Sequence, residues 1–474
     1  MFDLVIRGAR LGLAEGWSEG DIGVTDGRIT AIDHSLHGKV EIDGAGRWLL
    51  PGGIDAHCHL DQPDWGGARC HDDHESGGRA AILGGTTAII SFAMAPSGQT
   101  MCEGLARSLA RAEGRCPVDY GFHAVATPQT GPLAEQVPVL VGAGVSSVKA
   151  FMTYEGFAMD DGRLLDLMQT CRAHGATVLV HAENDAILRW MRRRLAEREC
   201  DHFGPHLLIH AEAAERDAVA RMGVLAEVTG ARVVIVHVTG RAGLEELARA
   251  QARGVAILGE TCPQYVVFDG SVLAGPSEQA LRALFAPPPR APGTAEALWQ
   301  ALAGGGLALW SSDHSPCPLE DRFADGAPRH FAHAVAGVPG LETRLPILFS
   351  EGLVAGRLSL ARYLELSASA AADIYGIGAK GCIAPGQDAD LVLWNPETHW
   401  QVRGTEEQSK TRYSAFEGMW LTGRPETVIL RGHVLMRDGA LLSGPPRGCF
   451  LHRRPTDPGH FRTPLEETTP WTAS

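Results

Sequence analysis

Short apolar runs punctuated by glycine-containing turns fill the first fifty positions, at Leu4–Ile6, Ile22–Val24 and Ile29–Ile32. The same pattern returns late in the chain, at Ala389–Trp394 and Val428–Met436. Runs of this kind read as strands. Neither end holds enough of them for a stable sheet with its own core. Residues 1–50 and 376–450 are therefore expected to combine into one small β-sandwich, with residues 451–474 as a C-terminal tail.

Between them, residues 51–375 alternate strand and helix patterns. The strand candidates are Gly53–Leu60, Thr87–Phe92, Val118–Ala124, Ser146–Phe151, Thr177–Ala182, Arg232–Val238, Val255–Glu260 and Leu307–Asp313. They are short and mostly rich in Val and Ile, as strands buried on both faces should be. Intervening stretches such as Gly162–His174 and Ala242–Arg253 carry an apolar stripe at helical spacing. Eight βα units in succession predict an α/β fold of the TIM-type (β/α)8 barrel class. A doubly wound sheet would more often show a Gly-rich phosphate turn after its first strand, and none is present.

Composition narrows the function. The 474 residues carry a formal net charge of −14, which disfavours nucleic acid and anionic membranes as partners. The basic cluster Arg192, Arg193 and Arg194 sits among acidic residues in a helical stretch and reads as a solvated helix face. The 10 cysteines form no CxxC pair; in a chain this long they suggest reduced thiols and a cytoplasmic location. No signal peptide and no apolar run near 20 residues is seen.

The candidate chemistry lies at the strand ends. His57 and His59 close the first strand, two residues apart, so both imidazoles face the same way. Alone, an HxH pair is weak evidence, because two histidines satisfied by backbone hydrogen bonds would look the same. Lys149, His181, His237 and Asp313 add ionisable groups at the ends of the fourth, fifth, sixth and eighth strands. The C-terminal end of the strands is where TIM barrels place their sites. Four imidazoles and a carboxylate converging there call for a compensating cation. Burial and positive neighbours depress a lysine pKa; a neutral Lys149 amine can add CO2 and become a carbamate able to bridge two metals.

Several motifs resemble those of the amidohydrolase superfamily, and within it the cyclic amidohydrolases: hydantoinases, dihydropyrimidinases, allantoinases and dihydroorotases. They are Pro51-Gly-Gly-Ile-Asp-Ala-His-Cys-His-Leu-Asp, Gly84-Gly-Thr-Thr, Lys149 with Tyr154, His181-Ala-Glu-Asn, His237-Val-Thr, Gly259-Glu-Thr-Cys-Pro-Gln-Tyr, Ser311-Ser-Asp-His, Gly340-Leu-Glu-Thr-Arg-Leu-Pro and Gly386-Gln-Asp-Ala-Asp-Leu-Val. By this resemblance His57, His59, Lys149 and Asp313 hold one zinc. Lys149, as N6-carboxylysine, His181 and His237 hold a second, and the two share a hydroxide. The resemblance makes Asp313 the proton carrier and Tyr154 the donor to the developing oxyanion. It also implies a homotetramer or dimer.

The ring is expected to be a neutral hydantoin or dihydropyrimidine, opened to an N-carbamoyl amino acid, with allantoin or another cyclic imide as the alternative. A scaffold lacking catalysis is disfavoured because all six ligand positions are kept. Asp61 stands where dihydroorotases resemble one another in carrying an arginine for the substrate carboxylate, and an aspartate there would repel one. Trp65 and Phe157, on the first and fourth βα loops, are placed to contact an apolar 5-substituent. Ala286 and Ala336 replace residues that hydantoinases usually carry as Ser and Asn, where backbone atoms meet the ring amide.

Overall fold

The computed structural model describes residues 1–63, 70–198, 202–275, 277–323 and 330–464. Its strands are β1 (Phe2–Leu13), β2 (Gly16–Thr25), β3 (Arg28–Asp33), β4 (Gly38–Asp43), β5 (Trp48–Pro51), β6 (Gly53–Cys58), β7 (Thr86–Ala93), β8 (Asp119–Val125), β9 (Ser147–Phe151), β10 (Thr177–His181), β11 (Val233–Ile235), β12 (Ile257–Thr261), β13 (Leu309–Trp310), β14 (Leu391–Gln401), β15 (Trp420–Leu430), β16 (His433–Arg437) and β17 (Ala440–Leu441).

Strands β6 to β13 pair in sequence order into one eight-stranded sheet in which neighbours run parallel. A parallel bridge between Cys58 and His314 carries the sheet from its last strand back toward the first. The result is a nearly closed TIM-type barrel. Every residue of β7, β8, β9 and β10 is buried, which is why these strands read as continuous apolar runs. Alternate residues Ile54, Ala56, Ala88, Ile90, Leu179, Val234 and Leu309 fill the interior.

The motif Gly84-Gly85 has a steric cause. A Cβ on Gly84 would lie 2.7 Å from the Glu342 carbonyl oxygen, and Gly85 turns the chain into β7 at φ 82°.

The chain ends form a separate nine-stranded sheet, ordered β17-β16-β15-β14-β5-β1-β2-β3 with β4 beside β1. Strand β1 shifts register between Ile6 and Ala9 and passes from β4 to β5 as its partner. Leu4, Ile6, Leu11 and Ile22 from the first strands pack with Leu391, Leu393 and Ile429 from the last. This shared core is what neither end could supply alone. Beyond β17 the chain returns to the barrel, bonding through Gly448, Leu451, Arg453, Thr456 and Arg462 to Cys116, Tyr120, Gly144, Gly175 and Gly230. Arg453 is fully buried there and donates to Ser147 Oγ and the Phe122 carbonyl.

Two expected strands are shorter than the sequence pattern. The sixth spans Val233–Ile235 and the eighth Leu309–Trp310. Pairing stops before His237 and Asp313, which frees their backbones for the conformations described next. Among the described residues no helix is long and apolar enough to cross a membrane.

Candidate active site

His57 near the end of β6, and His59 just past it, project to the same side, as the two-residue spacing requires. Asp313 Oδ1 lies 3.2 Å from His57 Nε2 and 3.2 Å from His59 Nε2. The three donor atoms fall within 4.8 Å of one another. Lys149, His181 and His237 line the same cavity, of about 400 Å³. The His237 ring stands 4.6 Å from that of His181 and 5.7 Å from that of His57. Imidazole nitrogens and a carboxylate oxygen gathered this closely in a buried site fit a divalent metal.

Outer partners fix which ring nitrogen faces inward. His57 Nδ1–H donates to Glu260 Oε1 at 2.6 Å, and His59 Nδ1–H donates to Gln62 Oε1 at 3.0 Å. His181 Nε2–H donates to Glu183 Oε2 at 2.7 Å. Each bond turns the other nitrogen of its ring toward the cavity, where it could serve a metal. Glu183 also accepts from His210 Nδ1 at 2.9 Å. Burial pushes the Glu183 carboxyl up, but His210 and His181 outweigh it and hold it well below the usual range. It is therefore an ionised acceptor.

The electrostatics suit cation binding. Burial pulls His57 down, yet Glu260 and Asp313 outweigh it and raise the imidazole to about 9. Burial alone would raise Asp313; His57 and His59 hold it well below the carboxylate range instead. Lys149 is 1% exposed, its Nζ between the rings of Phe92 and Phe151 at 5.3 and 5.0 Å. Burial lowers its pKa to about 8, against the opposing pull of Glu260 and Asp313. A substantial neutral fraction is therefore present near physiological pH. Burial raises Tyr154 well above its ordinary value, so its hydroxyl keeps its proton.

Backbone strain collects at the same place. Tyr154, His237 and Asp313 all have positive φ, at 77°, 41° and 48°. For a tyrosine this is a costly conformation, of order 1–3 kcal/mol, and such residues gather at functional sites.

The structure brings Tyr154, Ala286 and Ala336 to the cavity with the six candidate ligands. The Tyr154 ring lies 4.9 Å from that of His181. It does not bring Asp61 there. The Asp61 carboxylate accepts from the backbone N–H and Nδ1 of His74, the latter at 2.8 Å, and Arg111 stands 3.8 Å away. At φ 52° the residue faces the first helix, His74–Leu83, rather than the donor set. Phe157 is not brought there either: it packs against Phe151 at 5.4 Å, among Met94 and Val125, and lines a neighbouring cavity. Trp65 lies outside the described residues.

Sequence reasoning missed Glu183, Glu260 and Gln62, although all three stand within or beside quoted motifs. It also missed His206, His210, His333 and Arg192, which line the cavity. Arg192, read from sequence as solvated helix face, is exposed but turned over this opening.

Comparisons with known proteins agree with this geometry. The model of the amidohydrolase family matches residues 48–435. A D-hydantoinase of Ralstonia pickettii is 36% identical over 95% of this chain and 99% of its own. A solved D-hydantoinase structure superposes with a TM-score of 0.92 at 35% identity, covering 96% of this chain and all of that one. The dihydropyrimidinase of Brevibacillus agri gives 0.91 at 31% identity, covering 96% of this chain and 99% of its own.

Proposed function

Since the chain belongs to the amidohydrolase family, we propose that it opens the cyclic amide bond of hydantoins or dihydropyrimidines to N-carbamoyl amino acids. It is a metal-dependent hydrolase of cyclic amides. The observation that carries the substrate reading is one cavity holding the His57, His59 and Asp313 donor set, Lys149, His181, His237 and the strained Tyr154. Its relatives named D-hydantoinase and dihydropyrimidinase support the choice of ring.

In this reading His57, His59, Lys149 and Asp313 hold one divalent ion, most simply zinc. Lys149, His181 and His237 hold the other. The buried Lys149 amine, partly neutral, would add CO2 with loss of a proton, and the resulting carbamate would place an anionic ligand among these donors. When bound, the ions would supply Lewis acidity toward the ring carbonyl and acidify a water molecule. Asp313 takes the proton of the attacking water on its carboxylate and delivers it to the departing ring nitrogen. Tyr154 donates its hydroxyl hydrogen to the carbonyl oxygen as negative charge develops there. Ala286 and Ala336 offer backbone atoms to the ring amide, and their short side chains leave room beside it. We place the enzyme in the cytoplasm as a homotetramer or dimer.

The test is hydrolysis by the metal-loaded protein across hydantoin, dihydrouracil, allantoin and dihydroorotate. Turnover of hydantoin or dihydrouracil well above the others is expected. Efficient allantoin or dihydroorotate hydrolysis with neither of those two would overturn the assignment.

A further inference from the structure

We propose that Arg192 makes this cavity selective for hydantoins whose 5-substituent ends in a carboxylate. This rests on the hydantoin reading above.

Arg192 belongs to the helix Asp185–Leu195. Two other cations of that helix are engaged: Arg189 pairs with Asp185 at 2.8 Å, and Arg194 stacks on Trp190 at 5.0 Å. Arg192 forms no ion pair or hydrogen bond among the described residues, and it lines the cavity that holds the donor set. Tyr154 and His206 line the same cavity. An unengaged guanidinium facing a reaction cavity is a ready fork for a carboxylate.

The surrounding charges leave the position open to an anion. Asp61 is turned away and occupied by His74. Glu183 is occupied by His181 and His210, and Asp313 stands against His57 and His59. Glu155 lines the same cavity, but it makes no ion pair with Arg192 and also borders the neighbouring cavity. The wall formed by Phe331, Ala332, Ala334 and Val335 is apolar. It can pack a methylene arm without competing for the guanidinium.

The experiment compares two substrates of equal length, 5-(2-carboxyethyl)hydantoin and its neutral amide 5-(2-carbamoylethyl)hydantoin. The readout is the ratio of their kcat/KM values on metal-loaded enzyme, which cancels any loss common to both. A charged hydrogen-bond pair predicts a ratio of roughly 10–100 in favour of the carboxylate. Arg192→Gln should bring it near one, Arg192→Lys should keep part of it, and Arg192→Glu should invert it. Raising salt to about 0.5 M should shrink the wild-type ratio. A wild-type ratio near or below one, or a ratio unchanged in a folded Arg192→Gln, overturns the proposal while unsubstituted hydantoin is still opened. An enzyme that opens neither hydantoin nor dihydrouracil defeats the underlying reading, and this proposal with it.

Discussion

Replacing Glu183 by Gln tests whether the histidines are held as metal ligands by their outer partners. Glu183 is fully buried and receives two histidine N–H groups, from His181 at 2.7 Å and His210 at 2.9 Å. A glutamine of the same shape removes the charge. Its oxygen can serve one imidazole, while its NH2 opposes the other. A hydrogen bond to a charged group contributes about 1.5–3 kcal/mol, and outer partners of metal ligands typically change affinity 10–100-fold. The site is a clean place to measure this, because burial already lowers the His181 pKa. Protons therefore do not compete for that ring at neutral pH in either protein. Competition with a chromophoric chelator should show one of two bound metals weakened by roughly 10–100-fold in Glu183→Gln. Glu183→Ala should weaken it at least as much, with cooperative thermal unfolding retained in both. Wild-type affinity for both metals in both variants would refute the claim that this bond presents His181 to a metal.

Metal loading should release a proton from His57 at neutral pH. Its folded pKa of about 9 means that the metal-free ring is charged below that value. Affinity should therefore fall as pH drops below about 9, read as dye-detected proton release on metal addition. Lys149→Ala should lose metal and activity, with part of the activity restored by a short carboxylic acid plus metal; Lys149→Arg, permanently charged, should not be rescued, and wild-type-like turnover in it would exclude the carbamate. Tyr154→Phe should keep its metal and lower kcat by roughly 10²–10³; a change confined to KM would make it a binding residue only. Asp61→Ala should lower unfolding stability by about 1–3 kcal/mol through the lost His74 bonds, and chemical denaturation should show this without a change in preference between charged and neutral substrates.

The barrel was legible because its strands are buried on both faces, so hydrophobicity alone marks them and their order follows the chain. The donor set was legible for a related reason: ionisable residues at the ends of apolar strands are costly and stand out. What the pattern did not show is direction. Asp61 sits three residues from a buried strand, yet one left-handed residue turns its carboxylate toward His74. Phe157 is an aromatic on the expected loop, but Phe151 offers it a closer partner than the cavity does. Arg192 belongs to a helix that looks solvated by composition, and only the helix position shows that one of its cations overhangs the cavity. Loop and helix-surface residues are aimed by tertiary contacts that periodicity does not encode.

The shared sheet of the two chain ends also sets an order of events during synthesis. Strands β1 to β5 leave the ribosome about 340 residues before β14, which pairs with β5. At roughly 5–20 residues per second they wait on the order of half a minute with one apolar face uncovered. The barrel meanwhile lacks Arg453 beneath it until nearly all of the chain is made. The nascent protein thus carries an unpaired, aggregation-prone sheet edge for most of its translation. A chaperone that covers this edge during synthesis should raise the soluble yield.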